Sequence, residues 1–444
     1  MIGYNSPLNS RYYDEQMNIA WSTSSHYRTI VRIWMNNHNK FMEMNGMPGL
    51  KIESPLDSLN NEEMDELVAK VAAREKETGH ELVALLQVVQ ELMEGENNRL
   101  YNAHHLLHTG LTSSDVQDQS VLLKTIWSLT RIMKRVRDIV RYLSRRADAG
   151  NLDVYLVGRT HLQPAEPTTL LHRLTILAQE LMDWLASADL TLMQLLSYTG
   201  LLSGSVGTYE NTKAAMIGLG FDRELVPNDE RAKSQTLPRS LDLAVAQALD
   251  RLASILHKQA FDYRLESGFG QVYDRAAKDR VGSSAMPYKK NPIRAEKINS
   301  LTRHIHSLCA TAWDNASWQG LERTLDDSAN RRMWLPESFL TMAHVVTQFD
   351  SLLVDYIRIE ETDPESWRSV WEQSRVQSAK EATAYGTKHQ AGFDFDGDLK
   401  ISIEQDKRIM AKIAEFLPSI TKTADSVDSF GFQKTMNSRF GGIE

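Results

Sequence analysis

Cysteine is almost absent from this chain of 444 residues: Cys309 stands alone, with no partner for an intrachain disulfide. That usage fits a reducing compartment, and the reading is a cytoplasmic protein. Long apolar runs are missing too. No uninterrupted stretch approaches the roughly 18 residues that cross a bilayer, and the opening MIGYNSPLNSRYYDEQM lacks the apolar core of a secretory leader. Secretion and membrane insertion are therefore set aside. Nor is there an excess of basic charge. Fifty Lys and Arg against 58 Asp and Glu leave a formal net charge of −8, which argues against nucleic acid as the main partner. Local basic clusters for small anions remain open.

Several chemical signatures are also lacking. Without GxxxxGK[ST] or a GxGxxG after a strand, a nucleoside triphosphatase or dinucleotide enzyme has no support. His80 and Glu81 begin like a zinc-protease helix, but Ala84 occupies the place of the second histidine. His104 and His108 have no carboxylate or cysteine to complete a metal set. Asp394, Asp396 and Asp398 alternate like a calcium loop, yet Leu399 and Gln405 replace its glycine and terminal glutamate, so the segment reads as a solvated acidic turn. No metal or organic cofactor is expected. Strand signals are scarce, and no repeat or low-complexity tract appears.

What is present is helical. Leu122, Ile126, Leu129, Met133, Val136, Val140 and Leu143 alternate steps of four and three, a heptad stripe. Leu170 to Leu195 and Leu335 to Tyr356 carry similar stripes. Looser ones run through Leu241, Val245, Leu249, Leu252 and Leu256, and through Ile298, Leu301, Ile305, Leu308 and Ala312. The prediction is an all-α fold with a central bundle of five long helices between about 115 and 360. Residues 1–111 form a first helical domain, 112–362 the bundle domain, and 363–444 a small helical third domain opening at Asp363, Pro364 and Glu365. Apolar residues outside the stripes, such as Leu171, Ile176, Leu185 and Leu196, suggest faces that meet other subunits.

Five polar islands sit at the ends of these stripes. HTGLTSSDVQD, from His108, holds Thr112, Ser113, Ser114 and Asp115, which either cap the first long helix or turn its backbone N–H groups toward an anion. GRTHLQPAEPTT brings His161, an imidazole suited to acid–base work, into a turn-like segment with Arg159, Thr160 and Gln163. KSQTLPRS offers Gln235, Thr236 and Arg239. GSSAMPYKKNP, from Gly282, reads as a mobile loop that closes on an anion with Ser283, Ser284, Lys289, Lys290 and Asn291, followed by Glu296. ERTLDDSANRR gathers Arg323, Ser328, Arg331 and Arg332, either for a phosphate or as a solvated face paired with Glu322, Asp326 and Asp327.

The order and content of these islands resemble the fumarase and aspartase superfamily, and within it the adenylosuccinate lyase family. The strings that favour that branch are SRYYD, GRTHLQPAEPTT, Tyr288 inside the loop, and ERTLDDSANRR. The resemblance implies β-elimination of fumarate from adenylosuccinate and from the succinyl-aminoimidazole carboxamide ribotide, in purine biosynthesis. It implies Ser283 as base, His161 as acid oriented by Glu296, and Lys289 as the cation that stabilises developing charge. Arg11, Tyr12, Arg323, Ser328 and Arg332 would hold the nucleotide. Ser113, Thr160, Gln235, Ser284 and Asn291 would hold the carboxylates, with His80, Glu81, His108, Thr112 and Lys297 lining the site. Glu81 and Lys297 depart from the Asp and Arg found in relatives. The resemblance also implies a homotetramer whose active sites are shared between subunits. An argininosuccinate-type lyase and a non-catalytic helical relative stay open as alternatives.

Overall fold

Heptad spacing becomes long helices in the computed structural model, which describes residues 5–44, 46, 52–96, 107–208, 231–272, 289–358, 372 and 395–429. The order is α1 (Glu15–Ala20), α2 (Thr23–Met44), α3 (Asn61–Thr78), α4 (Glu81–Glu96), α5 (Ser113–Asp148), β1 (Tyr155–Thr160), β2 (Gln163–Thr169) and α6 (Leu170–Ser197). It continues through α7 (Arg239–Gly268), α8 (Ile293–Ser317), α9 (Asp327–Tyr356), α10 (Phe395–Ile420) and α11 (Lys422–Ser429). Among the described residues no helix is long and apolar enough to cross a membrane.

Local chemistry sets the boundaries. α3 opens with a capping box: the Asn60 side chain accepts from the Glu63 amide at 3.0 Å, and the Glu63 carboxylate accepts from the Asn60 amide at 2.7 Å. Gly79, at φ +65°, ends it in a left-handed turn that a side chain would strain. The apolar face of α3 and α4 then packs on α2 around Trp34, Leu67, Leu85 and Val88, and this core reaches α5 through Val116 and Leu123.

A larger core joins the other helices. Every member of the Leu122–Leu143, Leu170–Leu195 and Leu335–Tyr356 stripes is buried, as are the five stripe residues of α7. Leu301 and Leu308 of α8 are only partly covered. Cross-links fix the direction of each helix. Gln119 near the start of α5 donates to the Tyr198 carbonyl, just past the end of α6, at 3.0 Å. Arg173 near the start of α6 pairs with Glu266 near the end of α7. Arg239 at the start of α7 reaches Asp118 at 2.9 Å, Arg294 at the start of α8 pairs with Asp355 near the end of α9, and Asn315 at the end of α8 meets Asn330 at the start of α9 at 2.7 Å. Hence α5, α7 and α9 begin at one end of the bundle, and α6 and α8 begin at the other. At about 1.5 Å per residue, the 28 residues of α6 put these ends roughly 40 Å apart.

Three expectations are corrected. The second island is not a turn before a helix but an antiparallel hairpin, β1 with β2, whose two tip residues, His161 and Leu162, have φ of 52° and 62°. The extra apolar width of α6 serves this chain's own packing: Leu171, Leu185 and Leu196 are buried, because α10 lies against α5 and α6 and adds Ile403, Met410 and Leu417 to the same core. Of the four residues, Ile176 alone is exposed. Asp396 and Asp398 belong to the first turn of α10 rather than to an acidic turn. The proposed helix start at Asp363 lies outside the described residues.

Candidate functional site

The start of α5 is built from a second capping box. Thr112 donates from its backbone at 2.8 Å and from its hydroxyl at 3.0 Å to Asp115, whose amide is held in return by the Thr112 oxygen. Of the two readings of this island, capping therefore accounts for Thr112. Asp115 does more, accepting from the Ser203 amide at 3.0 Å and from Lys233 at 2.7 Å in the protein interior. That pair draws the 201–208 and 231–238 segments onto the helix start. Ser113 stays available. Its hydroxyl lies 3.2 Å from His80 Nε2, while the neighbouring His108 accepts from the Trp34 indole at 3.0 Å. Burial holds the His108 imidazole below its ordinary pKa.

A cavity of about 230 Å³ opens beside these residues where α5, α7 and α9 begin. Among its lining residues are Glu81, Asp118, Lys124, Arg239, Arg323, Ser328, Arg331 and Arg332. The fifth island thus delivers Arg323, Ser328 and Arg332 to one place. Arg332 reaches Glu81 at 3.2 Å, and Arg323 donates to the Gln235 side chain at 2.8 Å. Gln235 is steadied by its own bond to the Ser205 carbonyl at 2.9 Å.

Arg331 behaves differently from its neighbours. It contacts Asp242 at 2.6 and 3.1 Å and Asp118 at 3.1 Å, in the interior. Arg239 completes the lattice, bonding to Asp118 at 2.9 Å and Asp327 at 2.5 Å. Burial raises the Asp118 pKa and the two arginines lower it, with the net shift downward, so the carboxylate stays ionised. The arginine cluster is therefore split: Arg331 is a structural ion-pair partner, whereas Arg323 and Arg332 are exposed at the cavity.

The remaining candidates lie elsewhere. His161 and Thr160 stand exposed at the hairpin tip, by the opposite end of the bundle. Glu296 and Lys297 occupy the first turn of α8, also at that end, just after Lys289 and Asn291. His161 and Glu296 share no hydrogen bond within this chain. Tyr12 packs against His344, midway along α9, with ring centres 5.3 Å apart and planes tilted by 58°, and Arg11 is exposed beside it. Ser283, Ser284 and Tyr288 lie outside the described residues. One chain thus gathers His80, Glu81, His108, Ser113, Gln235, Arg323, Ser328 and Arg332 at one end. It holds His161 and Glu296 at the other.

Among the cavity residues that are not sequence candidates, Trp21, His26 and Lys124 form one contiguous group. Lys124 was the legible one, since a lysine inside the apolar run LLKTI of a heptad stripe ought to be noticed. His26 and Trp21 carry no such signal.

The model of the Lyase family matches residues 17–306. The chain is 31% identical over 375 residues to the adenylosuccinate lyase of Saccharomyces cerevisiae, covering 81% of this chain and 75% of that protein. It is 30% identical to the adenylosuccinate lyase of Helicobacter pylori strain 26695, over 78% of this chain and 76% of that protein. Among solved structures it is similar to a fumarate lyase from Mesorhizobium sp. BNC1, with a TM-score of 0.57 at 17% identity over 97% of this chain and 99% of that one. A β-carboxy-cis,cis-muconate cycloisomerase from Acinetobacter calcoaceticus gives 0.61 at 15% identity, over 96% and 100% of the two chains. Those two likenesses concern the fold.

Proposed function

This chain belongs to the Lyase family and, within it, to the adenylosuccinate lyases, and we propose from that premise that it releases fumarate from adenylosuccinate, leaving AMP. The succinyl-aminoimidazole carboxamide ribotide, which carries the same succinyl group on nitrogen, is its second substrate. Both reactions are β-eliminations. Ser283 removes the proton from the succinyl carbon, and His161 protonates the departing nitrogen. Lys289 stabilises the charge that builds up on the neighbouring carboxylate, an effect that grows as water is excluded.

The nucleotide end of the substrate falls to Arg323, Ser328 and Arg332, with Arg11 and Tyr12. Guanidinium groups with a hydroxyl at the mouth of a cavity suit a phosphate. The cavity's roughly 230 Å³ is below the approximately 300–1,000 Å³ usual for ligand sites, which suits a cavity that holds part of a nucleotide rather than all of it.

The observation that carries the reading is the separation of the two groups of site residues along one set of rods. Complementary parts at opposite ends of a bundle come together when copies pack antiparallel, so each active site is assembled from several subunits of a homotetramer. Glu296 then orients the His161 of another subunit. The division at about residues 111 and 362 follows the same logic. A core around Trp34 and Leu85, distinct from the bundle's main core although α5 adds Val116 and Leu123 to it, supports a first boundary near the start of α5. The cytoplasm is the compartment proposed.

Incubation with adenylosuccinate tests the reading. Ultraviolet absorbance should fall as fumarate appears, and argininosuccinate should be left intact. Turnover of argininosuccinate alone would overturn the assignment.

A further inference from the structure

Arg239 and Lys124 are the buried cations of the cavity wall, and of the two only Lys124 is without a carboxylate partner among the described residues. It projects from α5, is 4% exposed, and lines the same cavity as Arg323, Ser328 and Arg332. Its ammonium group is 3.2 Å from His26 Nδ1 and 5.1 Å from the centre of the Trp21 ring. The same His26 nitrogen is 2.9 Å from the Ser120 hydroxyl, so the ammonium shares its one close polar neighbour with a hydroxyl.

The charges around Lys124 do not neutralise it. Asp118, on its own helix, and Asp327, on α9, are engaged by Arg239 and Arg331. Glu81, on α4, is engaged by Arg332. His26, on α2, is half-buried, and its basicity is suppressed by desolvation first and then by Lys124 and the two arginines of α9. Among the described residues, then, Lys124 is a buried cation that forms no ion pair, with Arg331 and Arg332 adding like charge. A buried ammonium without a counter-ion is costly unless something anionic enters.

We propose that Lys124, seated on Trp21 and His26, is an inner anchor for the dianionic phosphate of the nucleotide, reaching it from beneath while Arg323 and Arg332 hold it at the mouth. This rests on the nucleotide reading given above. The anchor is selective for charge. Within the protein the Lys124 pKa is held down at about 7, first by desolvation and next by Arg331, with Glu81 opposing. A dianion in the cavity restores the charged form, so binding at pH 8 draws a proton from solvent.

Calorimetry of AMP binding at pH 8, in two buffers of different ionisation enthalpy, reads that proton directly. AMP is already dianionic there, so uptake approaching one proton is expected of the wild type. Lys124→Met should take up none and bind AMP tens of times more weakly, with adenosine affinity unchanged. No proton uptake by the wild type, or undiminished AMP affinity in the variant, would overturn the proposal. Should Lys124→Met fail to fold, inorganic sulfate on the wild type decides, since sulfate keeps its charge across this range. Its affinity should fall by up to tenfold per pH unit from about 7 to 8.5, and a flat profile would overturn the anchor. A sloping sulfate profile in a protein that neither binds AMP nor cleaves adenylosuccinate would overturn the nucleotide reading and leave the anchor standing.

Discussion

Arg331 is bound to Asp118 at 3.1 Å inside the protein, and the same carboxylate also receives Arg239 at 2.9 Å and the Leu237 amide at 2.8 Å. One aspartate thereby ties the starts of α5, α7 and α9 together beneath the cavity. Removing its charge leaves two buried guanidiniums short of a partner. Asp118→Asn should cost about 3–5 kcal/mol of stability, the usual penalty for breaking a buried pair. Urea unfolding of the variant measures this, and a loss below 1 kcal/mol would show that Asp242 and Asp327 suffice for the arginines.

Site sharing makes a prediction of its own. Ser283→Ala and His161→Gln should each assemble and each lose most turnover. Unfolded and refolded together, they should regain a substantial fraction of wild-type activity, because some mixed sites draw an intact serine and an intact histidine from different chains. No recovery on mixing would mean that both groups act from one chain.

Acid should destabilise the fold through its buried histidines. His344, beside Tyr12, is held at a pKa of about 4, chiefly by burial and then by Lys297, with Asp14 opposing. The unfolded chain takes up this proton near 6.5 and the folded chain only near 4. The contribution is therefore fully present above 6.5 and is lost as pH falls through that window. Between pH 7.5 and 5 the loss from His344 amounts to about 2 kcal/mol. Denaturant titrations at the two pH values measure it, and His344→Gln should flatten the difference.

Gly207 has a backbone role. It sits at φ +81°, and a Cβ there would run into the carbonyl of Lys233. Gly207→Ala should displace the 231–238 segment from the start of α5, lowering the melting temperature and, through Gln235, weakening substrate binding. An unchanged melting temperature together with an unchanged KM would refute this.

Much of the architecture was legible because heptads report directly on burial: Leu122 to Leu143 were read as one face, and that face is covered. The hairpin around His161 is not legible, since β2 carries two prolines and β1 is interrupted at Gly158, where the register shifts, so that neither strand shows alternating apolar residues. The sequence pattern also grouped Arg331 with Arg323 and Arg332. What separates them is partners more than eighty residues distant, Asp118 and Asp242, which no local pattern displays. Lys124 is hidden in the pattern because a heptad stripe is defined by its apolar members alone.

The polarity of the rods bears on symmetry. In the proposed homotetramer, a chain with one set of groups at each end is satisfied only beside a copy turned end over end. Stacked head to tail, such chains would have no reason to stop and would grow as an open filament. Pairing about a two-fold axis perpendicular to α6 closes the assembly and gives every end a mate. If sites are shared as proposed, the direction reversal between α5 and α6 becomes a rule of closure, selecting a finite particle in which no half of a site is left over.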